Sequence, residues 1–297
     1  MASLAASGSN VRAAVRGPRS LSTANESVVV GDLQESTDWR VALADVRVIV
    51  HLAARVHVMQ DNVPDPLAEF RRINVAGTLS LARQAVQAGV RRFVFVSSIK
   101  VNGEETLPGH SFSADDTPAP SDHYGLSKLE AEQGLKEIAS QTGMELVIIR
   151  PPLVYGPGVR ANFHMLLRAV ARGLPLPLGG LNNKRSLVAL DNLVNFIETC
   201  ITHPDAANQT FLVSDGEDLS TTELICRIAD SLGKPARLIS IPLWMLKVGA
   251  MLLNKRDSLQ RLSGNLQVDI SKARDLLGWK PPLSVDEGLR RTVAGWR

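Results

Sequence analysis

Tyr124 and Lys128 stand four residues apart in the run Tyr-Gly-Leu-Ser-Lys, at the start of an expected helix. Residues at that spacing share a helix face, so the ammonium can approach the phenol hydroxyl or a ligand held beside it. A free tyrosine ionises near pH ~10 and is a poor base at neutrality; a neighbouring cation stabilises the phenolate and lowers that value. The pair would then be suited to taking a proton from an alcohol. By itself the spacing equally describes a snorkelling lysine beside a half-buried tyrosine. Its weight comes from what precedes it. Ser97 and Ser98 close the apolar run 93–96, and the C-terminal ends of strands are where open α/β sheets bind ligands. A second apolar run ends in His51 and passes into Leu52, Ala53 and Ala54, where two small side chains permit close approach of a ligand. His51 itself reads as a satisfied core histidine.

Such residues need a scaffold that delivers strand ends to one edge. Short β-branched runs at 11–15, 27–30, 46–52, 92–96 and 146–149 alternate with helical patterns at 67–88 and 126–139. The alternation predicts parallel strands joined by crossover helices, and runs apolar nearly throughout predict a sheet covered on both faces. The fold class is therefore α/β, a doubly wound parallel sheet. After Arg150 the texture changes at Pro151, Pro152, Gly156, Pro157 and Gly158, which predicts a domain change. Helices at 163–172, 191–202, 221–231 and 285–293, mixed with short strands, predict a smaller α/β substrate domain. The apolar stretch 241–253 is broken by Pro242, Lys247 and Gly249 and reads as a core helix too short to span a bilayer.

At this point the chain resembles the extended short-chain dehydrogenase/reductases, and within them the nucleotide-sugar epimerases and 4-keto reductases. The resemblance is carried by His51 to Ala54, by Asn74-Val-Ala-Gly-Thr78, and by Val96-Ser-Ser98 followed by Val101 and Gly103. Tyr124 to Lys128, the Arg150 to Pro157 stretch, and Arg185 with Asp191 complete it. It implies a Rossmann-like domain over 1–155 and a mainly substrate-binding domain over 156–297, with some segments returning to the sheet. It implies Tyr124 as acid/base, Ser98 on the reacting sugar oxygen, Lys128 on the nicotinamide ribose and Asn74 in a proton-relay network. Asp32, Leu33, Leu52, Ala53, Ala54, Ser97 and Pro151 match cofactor contacts. Asn162 and Arg185 match groups on the nucleotide diphosphate, Arg261 less closely, and a guanidinium fork suits a phosphate. The implied reaction is hydride transfer between sugar carbon 4 and NAD or NADP on a UDP-sugar, as a 4-epimerase or as an NADPH-dependent 4-keto reductase. Homodimerisation through helices 67–88 and 126–139 is implied as well.

Three departures qualify this. No two glycines have G-x-x-G spacing, and the only G-x-G is Gly156 to Gly158, so the first strand and its phosphate-cradling turn are expected to be missing, with 1–7 as the end of the first helix. Weakened cofactor binding, or a truncated non-catalytic binding protein, is the corresponding expectation. Arg16, with Arg19 nearby, follows the run 11–15 where NAD enzymes place an acid, which leans towards NADP. Asn102 stands where the family commonly has tyrosine, in the substrate pocket. Ile99 and Lys100 after Ser98 leave no adjacent acids for dehydratase chemistry. A net charge of +3 without a long basic run argues against nucleic acid. Only Cys200 and Cys226 occur, without metal-ligand spacing, which suits a reducing cytosol and predicts no metal. No membrane partner is expected, and the location is expected to be cytoplasmic.

Overall fold

A computed structural model describes residues 2–6, 8–18, 24–56, 63–252 and 256–296. Two compact units emerge: residues 1–103, 115–150 and 197–211 form the first, and 104–114, 151–196 and 212–297 the second.

In the first unit a short helix α1 (Ala2–Ala6) precedes β1 (Arg12–Val15), β2 (Glu26–Val29), α2 (Arg40–Leu43) and β3 (Val48–His51). Helix α3 (Pro66–Phe70) runs through a π-helical stretch (Arg71–Gly77) into α4 (Thr78–Gln87), so the helix expected over 67–88 is one helical run with a wide turn inside it. Then come β4 (Arg92–Val96), α5 (His123–Thr142) and β5 (Glu145–Arg150). The strands pair in parallel, β1 with β2, β3 with β4 and β4 with β5, as near-continuous apolar runs require. Their register sets His51 opposite Phe95 and Val96 opposite Ile149. The segments after β3 and β4 therefore leave the sheet at one edge. Among the described residues, β1 and β2 form a sheet of two and β3, β4 and β5 belong to a sheet of four. Phe93, Phe95, Leu135, Leu146 and Ile148 fill the core between sheet and helices.

The second unit contains β6 (Leu153–Tyr155), α6 (Ala161–Ala171) and β7 (Arg185–Ala189); α7 (Leu190–Thr202) then takes the chain back into the first unit, where β8 (Gln209–Leu212) is the fourth strand of its sheet, beside β5. The second unit resumes with β9 (Asp218–Leu219), α8 (Thr221–Leu232), α9 (Leu243–Leu252), α10 (Arg256–Ser263), α11 (Ser271–Leu277) and α12 (Val285–Ala294). Strand β7 pairs in parallel with β6 and antiparallel with β9. Phe163, Leu167, Leu187, Ile225, Ile228 and Leu289 make a separate core. The stretch 241–253 is corrected here: α9 has no buried residue and lies on the surface.

Candidate active site

Helix α5 places Tyr124 and Lys128. Asp122 caps it, its carboxylate accepting from the Gly125 amide at 2.6 Å and pairing with Lys100. Gly125 is required there, because a Cβ would sit 2.7 Å from the Lys100 carbonyl oxygen. Its absence lets the first turn of α5 press against the loop after β4. In that loop Ser98 is extended (φ −157°, ψ 148°), and its hydroxyl oxygen accepts from the Lys100 amide at 3.3 Å. Tyr124, in the first turn of α5, is half-buried with its ring 6.3 Å from that of Phe70. Burial, then the charge of Asp122, push its phenol up to about 12, and a hydrogen bond with the Ser98 hydroxyl works the other way.

Lys128 makes its contacts with groups other than the Tyr124 phenol. Its ammonium donates to the Val96 carbonyl at 2.8 Å and lies 3.8 Å from the centre of the Phe95 ring. At the end of a central strand, a carbonyl and an aromatic face are the favourable contacts for a cation that is 2% exposed. Burial lowers its pKa to about 7, opposed by the charge of Glu132.

Asn74 lies in the π-helical stretch, a feature common at functional sites. Its side-chain oxygen accepts from the Arg55 amide at 2.7 Å, and its nitrogen donates to the Arg55 carbonyl and to the Ser127 hydroxyl, both at 3.0 Å. Ser127 in turn donates to the Tyr124 carbonyl at 2.8 Å. The segment after β3 and the first turn of α5 are thus tied through one buried amide. His51 is a core histidine, bonded to the Thr78 hydroxyl at 3.0 Å and held neutral by burial, its pKa lowered to about 3.

Beneath these residues lies a network that sequence reasoning missed. Glu132 is fully buried and receives the Arg150 guanidinium in two prongs, at 3.0 and 2.6 Å, together with the Ser97 hydroxyl at 2.5 Å. The remaining prong of Arg150 donates to the Asn102 side-chain oxygen at 3.0 Å. Asn102 is 3% exposed and serves this network; Ser97 does too, through its side chain. The available signal was periodicity, since Glu132 follows Tyr124 and Lys128 at the same four-residue step.

The other candidate residues are scattered. Arg16 and Asp32 are both exposed and form a surface ion pair at 2.7 Å. Arg19 lies outside the described residues. The Leu33 side chain is in the core, where a Cβ on Gly77 would come within 2.9 Å of it. Leu52 and Ala53 are exposed and Ala54 half-buried at the open edge after β3, while Pro151 is buried where the second unit begins. Asn162, Arg185 and Arg261 all belong to the second unit. Asn162 and Arg261 are exposed, whereas Arg185 is half-buried and donates to the Gly264 carbonyl at 3.1 Å, just past α10.

A profile of the NAD dependent epimerase/dehydratase family matches residues 1–214. The chain belongs to that family. Within it, the UDP-glucose 4-epimerase of Vibrio cholerae is 53% identical over 265 residues, covering 89% of this chain and 81% of that protein. The N-acetyl-alpha-D-glucosaminyl-diphospho-ditrans,octacis-undecaprenol 4-epimerase of Escherichia coli O157:H7 is 28% identical over 282 residues, 90% of this chain and 83% of that one. Among solved structures, MoeE5 in complex with UDP-glucose and NAD superposes with a TM-score of 0.75 at 27% identity, covering 99% of this chain and 92% of its own. The Rossmann-like sheet with a smaller mixed α/β unit is the architecture of this epimerase/dehydratase family.

Proposed function

We propose that this chain interconverts the carbon-4 epimers of a UDP-hexose or UDP-N-acetylhexosamine with NAD as its redox partner. The observation that carries the reading is the placement of the Tyr124 phenol in the first turn of α5, close enough to the Ser98 hydroxyl after β4 to feel it electrostatically and one turn ahead of the buried Lys128. The name of the Vibrio cholerae relative supports the reaction, and the NAD bound with UDP-glucose in MoeE5 supports the cofactor.

The donor set of the first unit fits the ends of a dinucleotide. Asp32 offers an exposed carboxylate for adenine or ribose hydroxyls, Tyr124 and Lys128 offer a hydroxyl and an ammonium for the nicotinamide ribose, and Leu52 and Ala53 leave the edge after β3 open. The NAD held by MoeE5 is the ground on which we assign NAD rather than NADP. When bound, the cofactor supplies reversible hydride acceptance.

A phenol ionising near 12 is protonated at neutral pH, so Tyr124 is set to give a proton to a keto oxygen at carbon 4. For the reverse step it must take the hydroxyl proton, which requires positive charge nearby; Lys128, four residues on, is the group able to provide it by leaving the Val96 carbonyl. Ser98, which can both donate and accept, holds the sugar oxygen against the phenol. Asn74 fixes the first turn of α5 through Ser127 and so keeps Tyr124 in place. Asn162, Arg185 and Arg261 are the candidates for the nucleotide diphosphate.

The test is to incubate the purified chain with NAD and UDP-glucose or UDP-N-acetylglucosamine and to follow the carbon-4 epimer by NMR. Epimer formed without net cofactor consumption supports the assignment. Oxidation of NADPH by a UDP-4-keto sugar, with no epimer in the first assay, would replace it with the reductase reading, and inactivity in both would leave a binding protein.

A further inference from the structure

Helix α9 reads Leu-Trp-Met-Leu-Lys-Val-Gly-Ala-Met-Leu, with Lys247 its single charge. At about 100° per residue, Trp244, Met245, Val248, Met251 and Leu252 share an arc of roughly 120°. The opposite side carries Leu246, which packs on the core of the second unit. The outward face is thus the apolar one: Trp244 is 67% exposed, Met251 57% and Leu252 78%. Ordinary amphipathic surface helices turn that face inwards, and a contiguous apolar patch left outside marks a contact surface.

Charge identifies the kind of surface. Over residues 234–261 the sequence holds six cations, Lys234, Arg237, Lys247, Lys255, Arg256 and Arg261, against the single acid Asp257, whereas the whole chain carries only +3. Lys247 and Arg256 are exposed on α9 and at the start of the next helix. A second copy is a poor occupant, because a two-fold contact through the same face would bring these cations against their own counterparts. An anionic lipid surface matches both properties, taking the apolar side chains between its headgroups and the cations at its phosphates. Ten residues are about half of the ~20 that a spanning helix needs, and no described helix is long and apolar enough to cross a membrane.

We infer that α9 docks the second unit in the plane of an anionic bilayer surface, with Trp244, Val248, Met251 and Leu252 inserted and Lys247 and Arg256 at the headgroups. This contact is independent of the reaction proposed above. Trp244 is a built-in reporter, since Trp39 and Trp279 are buried and Trp296 is half-buried. Vesicles of phosphatidylglycerol and phosphatidylethanolamine should co-sediment the protein at low salt and shift its tryptophan emission to the blue, while phosphatidylcholine vesicles should do neither. Trp244→Phe should remove the shift and keep the sedimentation. The triple change Trp244→Ser, Met251→Ser and Leu252→Ser should lower partitioning about tenfold or more with epimerase turnover unchanged. Quenching of the wild-type emission by brominated lipids reads the same insertion without any substitution. The inference is overturned if wild-type protein stays in the supernatant with phosphatidylglycerol vesicles, or if light scattering shows a dimer that the triple change converts to monomer.

Discussion

The chain has two tyrosines, one in each compact unit, and they have been put to opposite uses. Tyr155, ending β6, is 1% exposed, stacked on Phe163 at 5.6 Å, and donates to the Asp215 carboxylate at 2.7 Å. That acceptor is itself locked by the Ala189 amide at 2.8 Å and the Asn192 side chain at 2.7 Å. Burial first, then the Asp215 charge, push the Tyr155 phenol far above the ordinary range, so its proton stays. Tyr124 is also raised by burial, but its partner is the Ser98 hydroxyl, and a cation stands one turn away on α5. A phenol facing a carboxylate is a fixed donor; a phenol facing a hydroxyl can pass its proton in either direction. The difference lies in the partners.

The sharpest way to break this contrast is to remove each hydroxyl. Tyr124→Phe should lower epimerase turnover by about 10²–10⁴-fold with little change in thermal midpoint, as expected for loss of an acid/base. A folded Tyr124→Phe protein with normal turnover, measured by the same NMR assay, would end the assignment.

Lys128 supplies the next largest effect. Its pKa is lowered to about 7 from 10.5, so between those values the unfolded chain holds a proton that the folded chain has shed. Stability relative to Lys128→Met should therefore rise with pH across that window, by on the order of 4 kcal/mol, and be flat below it. Chemical denaturation of both proteins at neutral pH and near pH 10 measures the slope, and a slope of opposite sign would mean the ammonium is stabilised in the fold. Glu132→Gln should cost about 3 kcal/mol in urea unfolding, because Arg150 is left buried without its counter-charge. An unchanged urea midpoint would show that the pair is dispensable. Smallest is Tyr155→Phe, at about 1–3 kcal/mol of stability from the donor withdrawn from Asp215, with turnover retained. Loss of turnover in folded Tyr155→Phe would erase the distinction between the two residues.

Much of the scaffold follows from local rules. The run 92–96 is a strand over those same residues, and the helix expected over 126–139 extends to His123–Thr142 because Asp122 caps its start and Gly143, at φ +72°, ends it. The wide turn at Arg71–Gly77 left no such mark, since the apolar spacing through it stays close to helical. Neither did the surface position of α9, because a run of apolar residues states how much surface could be buried and not whether a neighbour arrives to bury it.

What the amino-acid order determined by itself was membership of the epimerase family, a doubly wound sheet, and a tyrosine and lysine one turn apart after a strand ending in two serines. These depend on spacings of a few residues, which backbone geometry converts directly into shared faces and strand ends. Tertiary structure alone decided that the Lys128 ammonium rests on Val96, that Arg16 is matched to Asp32, and that Glu132, Arg150 and Asn102 form one buried set. Those partners lie 16 to 48 positions apart, on or beside different elements, and which group meets which is settled only when the crossovers bring the elements together.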